Sequence, residues 1–230
     1  MRLFRSHQDR VDSTYAQSIG YQSDGNSIVL SRKDQILKIN EFNKSIQGFV
    51  NKRLQLKTAG ENQVSVSDIC FFITVKYLSS NKFTGYKGVS VLARQNSIFR
   101  GRYIDICKAS LGPRFSRKRK IQPEVFSFID VSGTKYGTKT IQNANDSPHI
   151  HAIMIVHPSQ SKWWSNKSNV ESIRSILSNR QSIESIDFSR VKDGNDIGYL
   201  TGYAAKYYTA NFKQPQISDE LFKIYPDVNH

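Results

Sequence analysis

Apolar residues recur at helical spacing in four stretches of this chain and gather into short strand-like runs in four others. In SRKDQILKINEFNKSIQGFVNKRLQ, residues Ile36, Ile39, Phe42, Ile46, Phe49, Val50 and Leu54 fall on one helical stripe. This predicts an amphipathic helix over 31–56, with Ser31 as its cap and the polar KTAGENQ after it. VSDICFFITVKYL is dense in β-branched and aromatic residues and predicts a buried strand over about 69–78. SSNKFTGYKG reads as a loop. Ile98, Phe99, Tyr103, Ile106 and Leu111 are near helical spacing, with Gly101 weighing against a helix over 89–110. A basic loop, GPRFSRKRKIQP, precedes the strand EVFSFIDV. The polar stretch SGTKYGTKTIQNANDSP then leads to a second strand, HIHAIMIV, so the two form a hairpin with an extended tip. SNVESIRSILSNRQ predicts a helix, IESIDFSRV a strand, and NDIGYLTGYAAKYYTANF a helix opened by Asn195 or Asp196. The tail, with Pro215 and Pro226, reads as irregular. Helices interspersed with mostly antiparallel strands define an α+β class in which helices cover a sheet.

Composition narrows the partners. Thirty-three Lys and Arg against nineteen Asp and Glu give a net charge of +14, which favours a polyanion, most commonly nucleic acid. The same count also fits a ribosome-associated or membrane-surface protein. Cys70 and Cys107 lie in apolar segments and read as buried thiols, not as a disulfide framework or zinc set. No apolar run approaches the roughly 18 residues needed to span a bilayer. The first residues have no apolar core of a secretory signal, so a cytosolic location is expected.

The most unusual local pattern is SPHIHAIMIVHP. Alternate residues of a strand share a face, so His149 and His151 project together from an apolar strand. A lone histidine there would be a satisfied core residue. Two side by side cost desolvation unless each finds a partner, and a shared cation would serve both. The hairpin brings Asp130, at the end of FSFIDV, close to them as a third ligand, though it could equally be a turn-forming Asp. Glu124, at the opposite end of that strand, is the weaker choice. Two histidines and one carboxylate leave coordination positions open, as a catalytic ion requires. His157, followed by Pro158, is expected at the surface.

In the last helix, Tyr199, Tyr203 and Tyr207 are spaced four apart and share a stripe, with Lys206 close to the same face. Taken alone, the stripe would read as core packing with a solvated lysine. Its company alters that reading: a basic chain and a two-histidine strand.

On these residues the chain resembles the HUH endonucleases, in particular rolling-circle replication initiators of phage and plasmid type. FFITVKY (71–77) is similar to their first motif, an apolar strand with a central threonine. PHIHAIMIV (148–156) is similar to their His-hydrophobic-His motif, and YAAK (203–206) to their tyrosine followed three residues later by lysine. Tyr203 and Tyr207 reproduce the four-residue spacing of two-tyrosine initiators. Two features depart from the family: the loop between Asp130 and His149 is longer than its short turn, and position 210 is Ala where a second lysine would stand. "GYLT" also makes Tyr199 a candidate nucleophile. The motifs cover about 69–211. They divide the chain into an N-terminal extension (1–65), an endonuclease domain (66–213) and a tail (214–230).

The resemblance implies a central antiparallel sheet of about five strands with a ferredoxin- or RRM-like core. It implies Mg²⁺ or Mn²⁺ on His149, His151 and Asp130, Tyr203 as nucleophile, Lys206 to hold the phosphate or to favour tyrosinate by its charge, and Tyr207 for a second cut. Arg114, Arg117, Lys118, Arg119 and Lys120 would track the backbone of single-stranded DNA at a replication origin. No GxxxxGK[ST] element occurs, so unwinding would fall to a separate helicase of the host cell. The alternatives are a single-tyrosine transposase, a mobilisation relaxase, or a basic nucleic-acid-binding protein without catalysis.

Overall fold

The computed structural model describes residues 32–56, 64–77, 88–131, 148–178, 183–211 and 220–226. In chain order they form α1 (Arg32–Leu54), the short α2 (Val66–Ile69), β1 (Cys70–Tyr77), α3 (Gly88–Leu111), a 3₁₀ segment (Phe115–Ile121) and β2 (Glu124–Val131). Then follow β3 (Pro148–Ile155), α4 (Ser161–Ser165), α5 (Lys167–Ser178), β4 (Ile183–Arg190), α6 (Gly194–Asn211) and β5 (Phe222–Tyr225). The strands make one five-stranded antiparallel sheet in the order β4-β1-β3-β2-β5. The succession β1-α3-β2-β3-α5-β4 with inner order 4-1-3-2 is the ferredoxin-like split βαβ arrangement, extended by β5 outside β2.

Strand alternation sorts the apolar residues onto two faces. One carries Phe71, Ile73, Val75, Ile150, Ala152, Met154, Val125 and Ile129, all buried. The buried Phe99, Tyr103 and Ile106 of α3 and Ile173 and Leu177 of α5, spaced three or four apart, belong to the same core cluster. Gly101 falls inside α3 with no neighbour within 4 Å of a Cβ built there, so the glycine weakens the helix without interrupting it. Gly112, at φ +85°, closes α3, and its N–H donates to the Lys108 carbonyl.

The opposite face carries Phe126, Phe128 and Asp130 of β2 and His149, His151 and Ile153 of β3. The cross-strand pairs Asp130–His149 and Phe128–His151 follow from the register. Helices α1 and α6 pack on one another over the β2 side of this face. Phe42 of α1 sits edge-on to Phe128 and Tyr208, and Phe49 to Phe126. Gly198 permits the close approach of the helices, since a Cβ there would meet Asn43 Nδ2 at 3.2 Å. The β4 side of the face differs: Ser185, Asp187 and Ser189 are exposed.

Two expectations differ from the structure, and the place of the N-terminal helix, left open by the sequence, is added by it. The tail is not irregular throughout, because Phe222–Tyr225 pair with Val125–Phe128. The basic loop contains a 3₁₀ segment, interrupted at Lys118. The helix placed in the N-terminal extension packs directly on the sheet through its aromatic residues. The loop between the hairpin strands, 132–147, and residues 1–31 lie outside the described residues. No helix among the described residues is long and apolar enough to cross a membrane.

Candidate metal centre and tyrosine site

His149 and His151 lie on the central strand of the sheet and Asp130 lies directly opposite His149 on β2. The strand pleat turns all three side chains to the α6 face. The two imidazole Nε2 atoms are 3.0 Å apart, and Asp130 Oδ2 is 3.4 Å from His149 Nε2 and 3.6 Å from His151 Nε2. Ligands about 2.1 Å from one ion stand about 3.0 Å apart at right angles and about 3.4 Å apart at the tetrahedral angle. The three donors therefore fit a single divalent ion, and their ligand atoms all lie within 4.8 Å of one another.

The neighbours of the trio set its protonation. Burial alone would raise the Asp130 carboxyl, but hydrogen bonds from His149 and Lys206, with their charges, outweigh it and hold the group below the usual carboxylate value. His151 is pushed down to about 3, chiefly by burial and then by His149, with smaller contributions from Lys206 and Lys76. A neutral imidazole and an ionised carboxylate are the forms that ligate a metal. Thr74, paired with His151 across β1 and β3, shares a hydrogen bond with its Nδ1 at 3.2 Å and so turns Nε2 toward Asp130. Phe72 stacks on the same ring at 5.4 Å between centroids.

Helix α6 lies across β2 and β3. Its Lys206 reaches Asp130 Oδ2 at 2.8 Å, and the same ammonium sits 4.4 Å from the centroid of the Tyr203 ring. Tyr203 is 4.8 Å from the His151 ring, centroid to centroid, and is 41% exposed. The trio, Lys206 and Tyr203 thus meet at one point, although the sequence separates Asp130 from Lys206 by more than seventy residues.

The remaining residues of the stripe have different surroundings. Tyr199, one turn before Tyr203, is exposed. Tyr207, one turn after it, is 0% exposed, and burial, followed by the Asp130 carboxylate, pushes its hydroxyl above the ordinary value. Tyr208, turned off the stripe, packs on Phe42 and Phe222. Lys206 is engaged by Asp130, where the sequence suggested a partner for phosphate.

The basic segment does not join the site. Arg114, Arg117, Lys118, Arg119 and Lys120 are exposed, but they precede Glu124, six residues along β2 from Asp130, or about 20 Å at the strand rise. Arg53 fixes that end by pairing with Glu124 at 3.2 Å and donating to the carbonyls of Lys120 and Gln122. Glu124 is thereby accounted for as a structural ion-pair partner at the far end of the sheet. His157, half-buried, accepts from the Ser159 N–H and caps the short turn at Pro158–Gln160.

Sequence reasoning did not find Lys76. Its Cα partner in β3 is His149, and it is exposed on the histidine face. The signal was present in FFITVKY, where Lys76 stands two residues after Thr74. Comparison with family models, with curated proteins and with solved structures returned no match to this chain.

Proposed function

We propose that this chain is a metal-dependent endonuclease that nicks and rejoins single-stranded DNA through a 5′-phosphotyrosine, as rolling-circle replication initiators of the HUH class do. One observation carries the reading. A half-exposed tyrosine lies with its ring 4.8 Å from one histidine of a His-His-Asp trio that can hold a divalent ion.

His149, His151 and Asp130 would hold Mg²⁺ or Mn²⁺, which when bound polarises the scissile phosphate. The Tyr203 oxygen attacks phosphorus, the P–O3′ bond breaks, and the released 3′ oxygen takes up the proton that the phenol gives away. The phosphodiester bond is conserved as a phosphotyrosine ester, so a later attack by a 3′-hydroxyl rejoins the strand. Lys206 orients this arrangement by holding Asp130 and lying against the Tyr203 ring. The burial of Tyr207 supports cutting by Tyr203 alone, which keeps the single-tyrosine transposase reading as the nearest alternative. Single-stranded origin DNA would be the partner, with unwinding done by another protein.

The deciding experiment mixes purified protein, labelled single-stranded oligonucleotide and Mn²⁺ and resolves the products by denaturing electrophoresis. A covalent adduct that disappears with EDTA and with Tyr203→Phe is expected. DNA binding without any adduct would reduce the protein to a non-catalytic binding module.

A further inference from the structure

We propose that Lys76 is a phosphate-binding residue of this site, gripping the single-stranded backbone from the side of the sheet where Lys76 and the β4 residue Ser185 are exposed. The proposal rests on the endonuclease reading and adds to it the group that neutralises substrate charge.

The register places it. Thr74 pairs with His151 and bonds to its ring, so the Thr74 side chain lies on the histidine face. Lys76, two residues on, shares that face and is paired with His149. Antiparallel partners have Cα atoms about 4.5–5.5 Å apart, a gap that a four-carbon stem spans. Along this face of β1 the half-buried Phe72 and Thr74 give way to the exposed Lys76, and the β4 residue opposite it, Ser185, is exposed as well.

Among the described residues, the carboxylates Asp130 and Asp187 are each engaged by another cation. Lys206 is bound to Asp130 at 2.8 Å. On β4, Asp187 pairs with the position of Thr74, but it is held by Arg174 at 3.3 Å and accepts from Ser189 Oγ at 2.7 Å. Lys76 has no ion pair among the described residues. Among the described residues the centre therefore sets one carboxylate, Asp130, against two ammonium groups, Lys206 and Lys76, before any divalent ion adds its charge. A phosphodiester arriving over β1 supplies the missing negative charge, and Lys76 is the cation placed to meet it.

The test is a titration of labelled single-stranded oligonucleotide, in EDTA, over about a fourfold range of salt, with wild type, Lys76→Gln and Lys76→Arg. Lys76→Gln should weaken binding about tenfold at low salt. It should also flatten the slope of log affinity against log salt by about 0.7, the share of one phosphate contact on a single strand. Lys76→Arg should keep the slope. Mn²⁺ affinity, measured by calorimetry without DNA, should be equal or higher in Lys76→Gln, because a cation beside the ligands has been removed. Wild-type slope in Lys76→Gln, or weakened Mn²⁺ binding, would overturn the role of Lys76. In parallel, failure of wild type to form the Mn²⁺-dependent adduct would instead overturn the endonuclease reading, and the assignment of Lys76 with it.

Discussion

Tyr207 differs from Tyr203 by one helical turn and by its whole environment. Tyr203→Phe should abolish adduct formation, because no other group of the side chain can form the ester. Tyr207→Phe should cleave at close to the wild-type rate, because the Tyr207 side chain is buried away from the face open to DNA. His149→Ala combined with His151→Ala should remove Mn²⁺ binding in calorimetry while leaving most affinity for DNA. The thiols of Cys70 and Cys107 are each pushed up to about 12 by burial, so both stay protonated in the native state. They should react with an aromatic disulfide reagent only on unfolding, and their contribution to stability should be complete below the ordinary thiol value of 9.0 and lost as pH rises toward about 12. At this scale the histidines and Asp130 were legible because strand alternation and a hairpin are local rules. Thr74 as the anchor of His151, and Lys76 as its neighbour, were not. Their meaning comes from a cross-strand pairing over more than seventy residues, which no local pattern specifies.

Helix α1 was visible as an amphipathic stripe, but the stripe alone does not say what it covers. In the structure Phe42 contacts Phe128 of β2, Tyr208 of α6 and Phe222 of β5, joining three elements. Phe42→Ala should therefore cost about 3 kcal/mol, measured by urea denaturation, and should loosen α6 against the sheet. Strand β5 escaped the sequence reading because FKIY is only four residues long and owes its extended form to the free edge of β2. The buried segments β1, β2 and β3 and the long helix α6 were read to within a residue or two at each end, since their apolar patterns are long enough to be decisive.

The whole chain carries +14, and its charges fall at separated places, with the basic 3₁₀ segment leading into the Glu124 end of β2 and Asp130 near the opposite end. Affinity for single-stranded DNA should fall steeply with salt, with a slope that reports several phosphate contacts. Neutralising Arg117 and Arg119 together should reduce that slope for long oligonucleotides and leave it unchanged for ones too short to reach the far end. Anisotropy titrations with two oligonucleotide lengths measure this directly. The antiparallel sheet with covering helices followed from the alternation of elements. The one-sided cover of the histidine face did not, because it depends on how α1 and α6 divide the sheet between them.

The pairing of Asp130 with His149 makes the ligand set a matter of parity. Side chains of a strand alternate, so one residue inserted in β2 between Phe128 and Asp130 would turn the carboxylate to the α3 side, and a second would turn it back one pleat too far along. Residues added between 132 and 147 leave the count within β2 unchanged. A change of chain length between 132 and 147 therefore keeps the parity of the ligand set, while the interval from Phe126 to Asp130 is fixed to the residue.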